Sequence, residues 1–373
     1  MNPRTKPATI AAHAAGVTDP QSGGVVPALQ PSTTFLRDEG YELVRADNTY
    51  SRADSDNMRQ AEEVLRQLEG AAETLLFPSG MAAIAAVFRT LPNGARVILQ
   101  SGIYWGTTAW VRDFCARRDM VLSEVDAGDL ITHCKANAAD LVFVETPSNP
   151  WLKSVDIDAV KAAGDALLVV DATAATPILT RALDFGADIV MHSATKGING
   201  HSDVLAGVLS TNDADAKVWD MIRADRKMAG AILGPFEAWL LTRAMRTLPL
   251  RVERMSQNAQ ALAEYLLAHD GVEDVFYPGL PHHTGHDVAR KQMRGGYGSL
   301  LSVLVKGDRA RALAVTGRLR LFLRATSLGG VESLVEHRHT IEPHTGIPEN
   351  LIRVSVGIEH IDDLVADWEQ ALA

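Results

Sequence analysis

Along this chain the hydrophobic pattern changes character near Asn57. Before it, Pro, Gly, Thr and Asp are interspersed without helical or strand periodicity, which reads as an irregular arm. After it, Met58–Gly70 places apolar residues at helical spacing and stops on a glycine. Short, largely apolar runs then follow at Thr74–Phe77, Arg96–Gln100, Leu141–Glu145, Leu167–Asp171 and Asp188–His192, each of a length that suits a buried strand. Between them Met81–Thr90, Thr107–Arg118 and Ile157–Ala163 read as helices, and Val204–Ser210 as one further strand. Strands alternating with helices predict an α/β unit, a mostly parallel sheet covered on both faces. A long helix near Arg251–Ala268 introduces a second texture. There Val272–Tyr277, Gly298–Val305 and Leu351–Val356 read as strands and Asp308–Gly317 and His360–Ala371 as helices, giving a smaller α+β C-terminal domain. The predicted organisation is an arm over residues 1–57, a large domain over 58–250 and a C-terminal domain over 251–373.

Composition narrows the class. The 373 residues are 46% hydrophobic and 22% charged, with a formal charge of −10, so no basic stripe is available to neutralise a nucleic-acid backbone. No apolar run approaches membrane-spanning length, and MNPRTKPATIAAHAAGV lacks the continuous apolar stretch of a secretory leader. Two cysteines, Cys115 and Cys134, form neither a disulfide framework nor a metal-ligand spacing. The expectation is a cytoplasmic protein that binds neither nucleic acid nor membrane.

Candidate chemistry lies where strands end. Open α/β sheets collect ligands beyond the carboxyl ends of their strands. Asp171 ends LLVVD; Ser193, Thr195 and Lys196 follow ADIVMH; Glu145, Thr146 and Asn149 follow LVFVE; Ser79, Gly80 and Met81 lie between TLLF and the next helix. A pyridoxal cofactor needs a lysine amine to attach it and a carboxylate for its pyridine nitrogen. It also needs a phosphate cradle, ideally at a helix N-terminus. Lys196, Asp171 and the Ser79–Met81 turn, with the hydroxyls of Ser193 and Thr195, supply these in turn.

The segment SATKGINGHSD, Ser193–Asp203, resembles the cofactor-lysine motif of the Cys/Met-metabolism (trans-sulfuration) family of pyridoxal-phosphate enzymes, whose members include cystathionine synthases and lyases. TYSR at Thr49–Arg52, PSGMAAI at Pro78–Ile84, YWGT at Tyr104–Thr107, ETPSNP at Glu145–Pro150, SLGGVESL at Ser327–Leu334 and LIRVSVGIE at Leu351–Glu359 extend the resemblance over about 310 residues. It implies the aspartate-aminotransferase-like (type I) fold and pyridoxal 5'-phosphate as cofactor. Lys196 would hold that cofactor and, once released, move protons at the substrate Cα. Asp171 would pair with the pyridine nitrogen. Gly80, Met81, Ser193 and Thr195 would bind the phosphate, while Tyr50 and Arg52 would serve the phosphate of a neighbouring subunit, making the arm an intersubunit element of a dimer of dimers. Tyr104 would lie over the ring and act near the leaving group, and Asn149 near the cofactor phenolate and the substrate carboxylate. Arg353, assisted by Ser327, would grip the α-carboxylate with its planar fork.

The small amino-acid substrate implied is a sulfur amino acid. Loss of a thiol from Cβ gives pyruvate and ammonia; a second deprotonation, at Cβ, lets a group on Cγ leave, ending in 2-oxobutyrate or in replacement by an incoming thiol. The chain departs from the family at Ala53–Asn57, at Trp105, and at Thr326, where the γ-specific members carry glutamate suited to a distal ammonium. That substitution favours carbon–sulfur lyase chemistry over cystathionine synthesis, with γ-replacement as the alternative. His282, His283 and His286, and His337, His339 and His344, read as surface-loop residues rather than metal ligands. Glu332 and Glu336 read as structural or solvated, and the basic run Arg223–Lys227 as part of an entrance or a solvated helix face.

Overall fold

A computed structural model describes residues 5–373. Its strands are β1 (Glu73–Phe77), β2 (Arg96–Gln100), β3 (Val121–Val125), β4 (Leu141–Glu145), β5 (Leu167–Asp171) and β6 (Ile189–Ser193). They continue as β7 (Gly207–Thr211), β8 (Val272–Phe276), β9 (Leu300–Val305), β10 (Leu323–Arg324), β11 (Leu334–His337) and β12 (Leu351–Ser355). The chain divides into two compact units, each discontinuous in sequence: one runs to Pro92 and resumes over Asp188–Pro249, the other comprises Asn93–Ala187 and Leu250–Ala373. The architecture is the expected α/β one, with a larger sheet rich in parallel pairs and a second, smaller sheet.

In the first unit β7 is the middle of three strands, antiparallel to β1 and to β6. The Asp56–Glu69 helix leads into β1. Ser55 caps it by accepting the Met58 N–H, and Gly70 ends it at φ 68°, a left-handed conformation that glycine takes without a Cβ penalty. Two buried ion contacts tie this helix to later chain. Glu69 meets His192 of β6, both side chains fully buried, and Glu62 accepts from Arg226 and from the Leu76 N–H. Arg226 lies on the Lys217–Ala229 helix, so the basic run is not a solvated face throughout: Arg226 packs inward, while Arg223 pairs with Glu73 and Asp220. The arm is largely irregular, apart from a short Pro7–Ala12 helix. It is held at the Pro27 carbonyl by Trp239 Nε1 (2.9 Å) and at Gln30 by Asn57 (2.9 Å).

In the second unit β5, β4, β2 and β3 pair in parallel. β4 is buried at every position, as its unbroken apolar run requires. β3 has a single buried residue, Val125, and as a largely exposed edge strand it carries no run that the sequence could reveal. The smaller sheet pairs β8, β9, β12 and β11 antiparallel, with β10 parallel to β11. The Leu248–Leu267, Arg309–Arg318 and Ile361–Leu372 helices contribute Leu262, Leu266, Val315, Leu364 and Trp368 to the core that covers it. No helix among the described residues is long and apolar enough to cross a membrane.

One close approach in the first unit admits only glycine. A Cβ on Gly207 would lie 2.1 Å from the Ser79 carbonyl oxygen, a backbone atom that cannot swing aside. Gly207→Ala is expected to cost about 1–3 kcal/mol or more in chemical denaturation, the usual penalty of overpacking; unchanged stability would contradict the contact.

Candidate active site

Each unit carries one part of the set that the sequence singled out. On the first, β1 ends at Phe77 and the Gly80–Arg89 helix begins three residues later, capped by Ser79, whose hydroxyl accepts the Ala82 N–H at 3.1 Å. A Cβ on Gly80 would fall 2.9 Å from both Met191 Cε and Ser193 Cβ. The helix start is thereby pressed against the end of β6, with the Ser193 hydroxyl beside the first helical residue. Thr195 accepts the Ala206 N–H at 3.0 Å, which fixes its hydroxyl one residue before Lys196. The turn closes through Lys196 N–H to the Ser193 carbonyl (3.1 Å) and Gly200 N–H to the Lys196 carbonyl (2.8 Å). Ser193, Thr195, Lys196, Gly80 and Met81 therefore share one neighbourhood. Tyr50 and Arg52 sit elsewhere on this unit. Tyr50 is 46% exposed, and Arg52 lies over its ring while donating to the Lys227 carbonyl at 2.6 Å.

On the second unit, β4 and β5 set Glu145 beside Asp171 in register. Asp171 is buried and accepts the Thr173 N–H at 2.9 Å. Glu145 Oε2 accepts the Tyr104 N–H (2.9 Å) and Oε1 accepts the Asn149 N–H (2.6 Å). One buried carboxyl thus clamps the two loops that carry Tyr104 and Asn149. Burial first, and then the Asp171 charge, push the Glu145 carboxyl up to about 8. Tyr104 precedes the Trp105–Arg117 helix with its ring folded over Gly106, where a Cβ would lie 2.6 Å from ring atom Cε1. The YWGT motif needs its glycine for that reason.

Arg353 lies on β12, 2% exposed, and Nη2 donates to the Ser327 carbonyl at 2.6 Å and to Glu336 Oε2 at 2.8 Å. Ser327 holds φ at 93°, a left-handed conformation uncommon for serine. Its contribution to Arg353 is made through the carbonyl. Glu336 is not solvated: it is buried opposite Arg353 in the β11–β12 register. The histidines are likewise not uniformly surface residues. His283 and His337 are buried, and His337 joins Thr340 to the Glu349 carbonyl. Sequence reasoning missed the Glu145 clamp and the Glu336 pairing, although ETPSNP placed Glu145 four residues before Asn149.

These groups fit a pyridoxal phosphate by their chemistry. A primary amine, a strand-end carboxylate and hydroxyls beside a helix N-terminus match an aldehyde, a pyridine nitrogen and a phosphate. Asn149 Oδ1 and Arg353 Nε are among the buried atoms that have no hydrogen-bond partner among the described residues, which leaves both able to meet a ligand.

A family model described as Cys/Met metabolism PLP-dependent enzyme matches residues 8–373. A cystathionine gamma-synthase of Mycobacterium tuberculosis is 40% identical over 378 residues, covering 98% of this chain and 96% of that protein. A cystathionine beta-lyase of Lactococcus lactis subsp. cremoris is 39% identical over 375 residues, covering 96% and 97%. The crystal structure of metB from Corynebacterium glutamicum superposes with a TM-score of 0.94 at 36% identity, over 100% of this chain and 99% of that one.

The position of Glu145 has a consequence for pH. Its folded pKa lies above the unfolded carboxylate value, so between roughly 4.5 and 8 the folded state binds more protons than the unfolded one. That contribution to stability is present at low pH and lost as pH rises through this window. Glu145→Gln removes it, so relative to wild type its melting temperature should rise from pH 5 to pH 9; a constant difference in calorimetry would refute the assignment.

Proposed function

The chain belongs to the Cys/Met-metabolism family of pyridoxal-phosphate-dependent enzymes, and from that premise we propose that it is a carbon–sulfur lyase acting on a sulfur amino acid such as cystathionine. The observation that carries this reading is a buried guanidinium at Arg353, bonded to the Ser327 carbonyl, with an uncharged residue, Thr326, next in the chain. That guanidinium suits the α-carboxylate of an amino-acid substrate, and the relatives named cystathionine gamma-lyase and beta-lyase favour the lyase reading.

When bound, the pyridoxal ring supplies a sink for the electron pair left at Cα when its proton departs. Lys196 would hold the cofactor and, once released from it, take the Cα proton. Asp171 would pair with the pyridine nitrogen and favour its protonated form. Gly80, Met81, Ser193 and Thr195 hold the phosphate through backbone N–H groups and hydroxyls. Arg353 orients the substrate through its carboxylate, with Asn149 beside it. Tyr104, anchored through its backbone by Glu145, presents a phenol that protonates the departing sulfur. In β-elimination the Cβ–S bond breaks as the Cα pair moves in. In γ-elimination Lys196 would deliver the Cα proton to the cofactor side of the conjugated system, not back to Cα, and then accept a second proton from Cβ, so that the pair left at Cβ could expel the group on Cγ.

A second reading, γ-replacement on an O-acylhomoserine, is favoured by the relative named a cystathionine gamma-synthase. Assembly belongs to the proposal as well: a dimer of dimers in which Tyr50 and Arg52 serve the phosphate site of a neighbouring copy. Its support is the exposed apolar surface of the arm, with Leu36 81%, Tyr41 78% and Val25 77% exposed. A cytoplasmic setting accords with Cys115 and Cys134, both free and buried.

Three outcomes test these readings. L-cystathionine without added thiol should release a keto acid identifiable by mass: pyruvate assigns β-elimination, 2-oxobutyrate γ-elimination, and neither rejects the lyase in favour of replacement. Lys196→Ala should lose covalently attached cofactor and about 10²–10⁴-fold in rate; retention of the attached cofactor would refute the lysine's role. Sedimentation should show a dimer or larger as the smallest active species, and a fully active monomer would exclude the shared site.

A further inference from the structure

The carboxylate that pairs with Arg353 is shared. Glu336 Oε2 accepts from Arg353 Nη2 at 2.8 Å and from Arg338 Nη1 at 2.7 Å. Arg338 also contacts Glu342. The four residues are all buried, at 2% exposure for Arg353, 3% for Arg338, 6% for Glu336 and 7% for Glu342. Two guanidiniums and two carboxylates therefore balance in a place where an uncompensated charge is costly. The other Glu336 oxygen, Oε1, the Nε atoms of both arginines, and Arg338 Nη2 and Glu342 Oε1 form no hydrogen bond with the described residues, so Glu342 meets Arg338 as a charge.

The arrangement matters because of what Arg353 would face alone. A buried Arg353–Glu336 pair is neutral and closed, and an incoming carboxylate would meet the Glu336 charge along with the guanidinium. With Arg338 present, a second cation offsets the Glu336 charge that an incoming carboxylate would meet, and Glu342 engages that cation in turn. The field of Arg338 acts on Arg353 in the same sense. Burial, offset in part by Glu336 and reinforced by the neighbouring Arg338 charge, lowers the Arg353 guanidinium to about 10, still charged at neutral pH. Arg338 also acts favourably on the Glu145 carboxyl, the clamp for Tyr104 and Asn149.

We propose that Arg338 is a positioning residue for carboxylate recognition: by drawing on Glu336, it leaves the charge of Arg353 available to the α-carboxylate of an amino-acid substrate. Glu342 tempers this by occupying Arg338 in turn. The inference rests on the reading of Arg353 as the carboxylate grip. It predicts that affinity follows the charge balance of the four residues, including a gain that loss of packing does not produce.

The test is a spectral titration of the cofactor-loaded enzyme with glycine and with methylamine, two amines that differ by the carboxylate. Arg338→Gln leaves two carboxylates against one guanidinium and should weaken glycine about 10–100-fold, with methylamine within about twofold. Glu342→Gln removes the competing anion and should tighten glycine by about 3–10-fold. The double variant Arg338→Gln/Glu342→Gln leaves the neutral Arg353–Glu336 pair alone and should bind glycine more tightly than Arg338→Gln but more weakly than wild type. If Arg338→Gln does not yield folded protein, Glu342→Gln and Arg338→Lys carry the test, the latter keeping glycine within about fivefold of wild type. Equal weakening of glycine and methylamine, or weaker glycine binding in Glu342→Gln, would overturn the proposal. Arg353→Ala is the control: if it spares glycine relative to methylamine, the Arg353 reading itself fails, whereas loss in Arg353→Ala with no response to Arg338 or Glu342 defeats this inference alone.

Discussion

A strand covered on both faces can carry an ionisable side chain only where it ends, because a charge in its interior would be stripped of water without a partner. β4 and β5 obey this constraint. Their apolar positions fill the interior, and their last residues, Glu145 and Asp171, stand side by side. β6 follows the same logic, with Ser193 at its end and Lys196 in the turn beyond. The exceptions are partnered: His192, one position inside β6, is met by Glu69 from a helix more than a hundred residues earlier, and Arg353 and Glu336, inside β12 and β11, meet each other. Placement of the chemistry is thus a by-product of how these strands are buried.

The same constraint explains what was readable from sequence. β2, β4 and β5 appear in the residue pattern with their observed limits, since wholly apolar runs bounded by polar residues are the signature of doubly covered strands. β3 does not appear, because its exposure leaves it no apolar run. The Lys217–Ala229 and Pro235–Met245 helices have no counterpart in the expected elements. In the first the run Arg223–Lys227 disguises an inward face, since Arg226 is buried against Glu62.

Residues identified by motif and residues identified by contact fall into different classes. Lys196, Asp171, Tyr104 and Arg353 are singular groups, each proposed for a chemical task that few other side chains could perform, and each is visible as a letter in a motif. Glu145, Glu336 and Arg338 act through another residue, and their importance lies in a distance or a shared oxygen atom. A glutamate near the end of a strand and an arginine two residues later, just past it, read as an ordinary solvated pair until the opposing strand is in place. Register, a non-local property, turns Glu336 towards Arg353.

The discontinuity of the first unit bears on how the protein is made. Within that unit β1 pairs with β7, and Thr74 meets Ser210 through their hydroxyls at 2.6 Å, 136 residues apart in sequence. A ribosome adding about 5–20 residues per second needs roughly 7–27 s to bridge that interval. Throughout it, the nascent chain holds an apolar strand, TLLF, without its ladder partner. Biosynthesis of this chain therefore passes through an interval in which shielding by a chaperone, or by the preceding amphipathic helix, decides between folding and aggregation.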